Sequence, residues 1–147
     1  MKEKWDDIWM RLAIGISGRS NDPKMKVGAV LVTADNESVL SVGYNGDERG
    51  GSNMRESMET GCSMFVHAEV NCVTKMNYVD QRPRKIYLTH APCTVCAKVI
   101  INARIEEVIY MNLYCSDVKG IEIINRSSYC SIRKEYKKEK QNENSSH

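Results

Sequence analysis

The chain has 147 residues, 41% apolar and 27% charged, with 3 Pro and 9 Gly. This composition fits one globular domain with its own core and excludes disordered, collagenous and coiled-coil chains. Net charge is +2, and without the stretch 133–147 it falls to 16 basic against 16 acidic residues, too even for the broad positive surface that binds long nucleic acids.

The chain opens Met1-Lys2-Glu3-Lys4-Trp5-Asp6-Asp7. Charges stand where a secretory signal would place its apolar stretch, which predicts a cytoplasmic protein. No apolar run reaches the ~18 residues of a membrane span, so no membrane partner is expected. Trp5, Ile8, Trp9, Leu12, Ala13 and Ile16 then recur at helical spacing, the pattern of an amphipathic helix. Gly18 and Asn21-Asp22-Pro23 end it. The apolar run 27–32 predicts a strand covered on both faces, and 39–44 a second strand joined to it by a hairpin loop. Residues 45–64 are polar and glycine-rich, a long loop of the kind that usually carries function.

A helix is predicted from His67 to Asn77, a short strand over 85–89, and a third helix from Cys93 to Ala103. Pro92 opens that helix, because a first-turn N–H has no intrahelical partner to lose. A strand over 107–111, a helix near 118–125 and a short strand near 129–132 complete the order. Helices alternating with strands imply partly parallel pairing with helices on both faces, and the initial hairpin makes the sheet mixed.

Six cysteines could suggest disulfides, but a reducing compartment turns attention to metal or catalytic roles. The informative cluster is His67-Ala68-Glu69, followed by Pro92-Cys93-Thr94-Val95-Cys96. One imidazole and two thiolates are good zinc ligands, and three protein ligands leave the fourth tetrahedral position for water. Cys93 and Cys96 stand at i and i+3 and so share a helix face. Both fall in a first turn, where the helix dipole favours thiolate. Glu69, two residues beyond His67, is placed to move a proton between water and a substrate nitrogen. The layout H-x-E then P-C-x-x-C is the signature of zinc nucleobase deaminases. A redox pair would have no coupled His-Ala-Glu, and a closed structural zinc site would need a fourth ligand. Cys62, Cys72, Cys115 and Cys130 show no paired spacing for that role. His90, three residues before Cys93, is read as a hydrogen-bonded wall of the pocket.

The chain resembles the cytidine deaminase superfamily, and within it the deoxycytidylate (dCMP) deaminases, over roughly 12–124. The segments that carry the resemblance are Asn21-Asp22-Pro23, Val27-Gly28-Ala29-Val30, Gly43-Tyr44-Asn45-Gly46 with Arg49-Gly50, Val66 to Asn71, and Pro92 to Lys98. It implies a three-layer α/β/α fold around a mixed five-stranded sheet, with residues 1–132 as a zinc-dependent deaminase domain and 133–147 as a charged, frayed tail. It implies Zn2+ held by His67, Cys93 and Cys96, proton transfer by Glu69, and hydrolysis of dCMP to dUMP and ammonia. The Ala68 amide would hold the pyrimidine carbonyl and Asn45 the nucleoside, with Lys26 and Arg49 near the phosphate. A homo-oligomer, often a hexamer, is expected, with a small-molecule nucleotide as partner. Asp47-Glu48 departs from the family pattern beside the expected phosphate pocket, and the segment 75–78 lacks features of nucleotide-regulated members. Two rival readings are a deaminase of another amino-heterocycle and a zinc-stabilised binding protein without turnover. Glu69 counts against the second, since a structural site has no use for that carboxylate.

Overall fold

The structure is a computed structural model that describes residues 1–60, 63–114 and 117–135. The elements are α1 Trp5–Ser17, β1 Gly28–Thr33, β2 Val39–Tyr44, α2 Ala68–Thr74, β3 Arg84–His90, α3 Thr94–Asn102, β4 Glu107–Asn112, α4 Lys119–Arg126 and β5 Ser131–Lys134. Their order is the one the sequence predicts. No helix among the described residues is long and apolar enough to cross a membrane.

The strands form one sheet in the order β2-β1-β3-β4-β5. β1 is antiparallel to both β2 and β3, whereas β3, β4 and β5 run parallel. Side chains alternate across the pleat and divide the core in two. Ala29, Leu31, Ile86, Leu88, Val108 and Tyr110 meet residues of α2, α3 and α4. Val30, Val32, Tyr87 and Ile109 meet Met10 and Ala13 of α1 on the opposite face. The result is the expected three-layer α/β/α arrangement.

Two glycines set how closely the site-bearing elements approach. A Cβ on Gly43 of β2 would lie 2.4 Å from the Ala68 carbonyl oxygen and 2.6 Å from the Cys72 nitrogen. The start of α2 therefore rests on bare strand backbone. A Cβ on Gly120 of α4 would lie 2.0 Å from the Pro92 carbonyl oxygen and 2.8 Å from that of Cys93. Here α4 buttresses the turn that begins α3.

Two boundaries differ from the sequence expectation. α2 is shorter than 67–77, because Lys75 N–H and Met76 N–H bond back three residues, to Cys72 O and Val73 O. That tightening ends the helix and seats Met76 in the core, where it is 4% exposed. The last strand carries Arg133 and Lys134, which the sequence reading put in the tail. Arg133 is held there by Asp6 of α1 at 2.8 Å and by Glu135 at 2.9 Å. The rest of the expected tail, 136–147, lies outside the described residues.

Candidate active site

The three sequence-predicted ligands converge. His67 is the N-cap of α2 and Cys93 the N-cap of α3, and Cys96 lies in the first turn of α3. Cys93 Sγ accepts the Cys96 N–H at 3.4 Å, so the thiol caps the helix that carries its neighbour. His67 Nδ1 lies 3.2 Å from Cys96 Sγ and 3.5 Å from Cys93 Sγ. All three donor atoms fall within 4.8 Å of one another. A tetrahedral zinc with bonds of ~2.3 Å to sulfur and ~2.0 Å to nitrogen spaces its N and S donors about 3.5 Å apart. The donor set and its spacing fit that ion.

Electrostatics favours a thiolate at this point. Hydrogen bonds from Cys96 and then His67 hold Cys93 down to about 4, against the opposing effect of burial. Cys96 is pushed up in turn, first by its hydrogen bond with Cys93 and then by burial. His67 is raised, chiefly by its hydrogen bond with Cys93.

Glu69 lies in the first turn of α2 and is 4% exposed. Burial pushes its carboxyl above the usual range. It lines the same pocket as His67 and Cys93, together with Ala68, Asn45 and His90. The pocket therefore joins a soft-metal ligand set to a carboxyl able to hold a proton.

Asn45 lines the pocket as a bonded strut. Its Oδ1 accepts the Val27 N–H at 2.8 Å, and its Nδ2 donates to Met25 O at 2.8 Å and to Asp22 Oδ2 at 3.2 Å. Lys26 and Arg49 are not brought to this pocket. They line a separate cavity with Arg19, Lys75, Asp47 and Glu48. Lys26 immediately precedes Val27, yet Val27 lines the metal pocket and Lys26 the separate cavity.

Sequence reasoning missed Arg55. It lines the metal pocket, and its side chain is only 5% exposed where it pairs with Asp22 at 2.7 Å. Arg55 Nε also donates to Ser57 O at 2.5 Å, and Nη2 to Glu59 O at 3.3 Å. Lys24 Nζ donates to Met58 O at 2.7 Å and Thr60 Oγ1 at 2.8 Å. The long loop is thus fastened over the pocket by two cations, and the Gly46–Val66 bridge closes its base. His90 forms part of the wall, with Nδ1 2.9 Å from Thr89 Oγ1. Burial lowers its basicity.

Of the other cysteines, Cys72 and Cys130 are buried free thiols outside the group of close metal donors. Cys62 and Cys115 lie outside the described residues.

Residues 3–112 match the family model of the cytidine and deoxycytidylate deaminase zinc-binding region. The chain belongs to that family. A deoxycytidylate deaminase of Homo sapiens is 33% identical over 117 residues, covering 74% of this chain and 65% of the relative. ComE operon protein 2 of Bacillus subtilis is 31% identical over 116 residues, covering 75% of this chain and 60% of that protein. This deaminase-family chain thus spans less than two thirds of the length of those relatives. A dCMP deaminase of the cyanophage S-TIM5, solved in complex with dCMP and dUMP, superposes with a TM-score of 0.77 at 31% identity. That match covers 92% of this chain and 99% of the phage protein.

Proposed function

We propose that this chain is a zinc-dependent deaminase that hydrolyses dCMP to dUMP and ammonia. The observation that carries the reading is the placement of buried Glu69 in one pocket with the His67, Cys93 and Cys96 donor group. The resemblance to a phage dCMP deaminase solved in complex with dCMP and dUMP supports the substrate class.

His67, Cys93 and Cys96 would hold the zinc. When bound, zinc supplies the Lewis acidity that makes water acidic enough to lose a proton near neutral pH. Glu69 accepts that proton at its carboxylate. It delivers it to the pyrimidine ring nitrogen beside the amino-bearing carbon, and a second proton later leaves with the departing ammonia. Overall one water is consumed, one C–N bond breaks and one C–O bond forms. A carboxyl whose affinity for protons is raised by burial suits this exchange better than a fully solvated one. The Ala68 N–H, at the start of α2, is the donor assigned to the pyrimidine carbonyl. Asn45 holds the sugar end of the pocket in shape through its bonds to Val27, Met25 and Asp22.

The test is ammonia release from a panel of cytosine and adenine nucleosides and nucleotides. dCMP is expected to give the highest kcat/KM. Preference for an adenine compound or for an unphosphorylated nucleoside would overturn the substrate assignment.

A further inference from the structure

A 5′-phosphate brings about −1.5 to −2 charges at neutral pH and oxygens that act mainly as acceptors. It calls for groups that only donate. Of the described residues that line the pocket, Arg55 is the one Lys or Arg. Its bonds to Asp22, Ser57 and Glu59 use one N–H on each nitrogen. A guanidinium has five, so one remains on Nη1 and one on Nη2, charged donors of the kind that bond phosphate strongly.

A second donor follows from a hydrogen-bond count at Thr89. This residue is 3% exposed. Its Oγ1 accepts the Gly28 N–H at 3.0 Å and lies 2.9 Å from His90 Nδ1. A hydroxyl has one hydrogen to give, and no other acceptor for it is found among the described residues. If Nδ1 carried a proton, the buried hydroxyl hydrogen would have no partner, an arrangement that native interiors avoid. The hydroxyl therefore donates to Nδ1, and the ring proton sits on Nε2. Nε2 has no partner among the described residues, and none of their side-chain nitrogens or oxygens is both buried and unbonded. The Nε2–H is accordingly open to the pocket that the ring lines.

We infer that Arg55 and the Nε2–H of His90 together read the substrate's 5′-phosphate, and that Thr89 is the positioning residue that fixes the His90 tautomer. The inference rests on the dCMP reading above. It moves phosphate recognition from Lys26 and Arg49 to the two donor-only groups in the metal pocket. Asp22, which shares Arg55, is held by its own bonds from Asn45 and from the Lys24 and Met25 amides. It orients the guanidinium, whose two unused N–H groups on Nη1 and Nη2 remain for the ligand.

The experiment is nitrogen NMR of the histidines in the zinc-loaded wild-type protein, with dUMP and deoxyuridine as probes, beside kinetics of two His90 variants. His90 should appear as the neutral Nε2–H tautomer. Its Nε2 resonance should move with dUMP and much less with deoxyuridine. His90→Leu should lower kcat/KM for dCMP roughly ten- to a hundredfold more than for deoxycytidine. His90→Gln, which keeps an N–H donor, should recover part of that difference. Thr89→Val should shift the ring toward the other tautomer, and Thr89→Ser should not. A His90 proton on Nδ1, or equal losses on both substrates in a wild type that is active on dCMP, would overturn this inference alone. A wild type with no activity on dCMP would overturn the parent reading and the phosphate assignment with it.

Discussion

Gly120→Ala is a small change placed where it should be felt at the metal. A Cβ there would lie 2.0 Å from the Pro92 carbonyl oxygen and 2.8 Å from that of Cys93. Ordinary contact is about 3.4 Å or more, so α4 and the Pro92-Cys93 turn must separate by more than about 1 Å. Overpacking of this kind costs about 1–3 kcal/mol. The displaced atoms are backbone of a proposed ligand, and metal sites hold their distances to about 0.2 Å. We expect zinc affinity to fall by about ten- to a hundredfold, the range seen when groups supporting ligands are disturbed. Competition with a chromogenic chelator gives the zinc Kd, and urea unfolding gives the stability. Gly15→Ala is the control, because nothing lies within 4 Å of its would-be Cβ and a mid-helix Gly to Ala change stabilises by about 0.4–1 kcal/mol. Wild-type zinc affinity in Gly120→Ala would refute the argument that α4 sets the position of Cys93. So would equal losses in both variants.

The remaining predictions address the ligands and the far side of the sheet. Cys93→Ala and Cys96→Ala should each remove stoichiometric zinc, measured by elemental analysis, and full zinc retention in either would remove that residue from the ligand set. Arg49→Ala should leave the ratio of dCMP to deoxycytidine kcat/KM within about twofold of wild type, because Arg49 lines the other cavity; a tenfold fall would restore it as a phosphate contact. Tyr87→Phe should cost about 1–2 kcal/mol at pH 7, a charged hydrogen bond discounted for the partial exposure of Asp6. Burial would raise the Asp6 carboxyl, but hydrogen bonds from Tyr87 and Arg133 hold it below its ordinary 3.8. Burial and then Asp6 push the Tyr87 hydroxyl above its ordinary 10.0. The Asp6 contribution is therefore present above 3.8 and lost as pH falls through the lowered value, and the Tyr87 contribution is present below 10.0 and lost as pH rises. Urea midpoints across pH should show the Tyr87→Phe deficit level between those limits and shrinking as pH falls below 3.8, and a deficit that grew toward pH 3 would contradict the sign.

The candidate metal donors were legible because their chemistry and their spacing coincide. Two thiols at i and i+3 in a first turn, preceded by Pro, can face only one way, and a His at another helix start supplies the third donor. The strand order was legible from apolar runs separated by helical periods. What stayed hidden depends on contacts with no local pattern. Arg55 lies in a glycine-rich loop without periodicity, and its anchor Asp22 is 33 residues away. The resemblance places Lys26 and Arg49 near the phosphate, whereas in the structure both line the second cavity. Arg49 follows the Gly46–Val66 bridge and goes with the loop into the second cavity. Thr89 carried no signal at all, since a strand threonine reads as ordinary core until its hydroxyl is seen between Gly28 and His90.

The central claim is that Glu69 moves the protons of a deamination at a zinc site that it does not itself ligate. The most direct measurement is dUMP and ammonia formation from dCMP by purified zinc-loaded protein and by Glu69→Gln, with zinc content measured on the same samples. The account predicts stoichiometric dUMP and ammonia from the wild type. It predicts a kcat roughly 10²–10⁴-fold lower in Glu69→Gln, the range for a lost general acid–base group, with one zinc per chain retained. Near-normal turnover in Glu69→Gln, or loss of its zinc together with its activity, would contradict it.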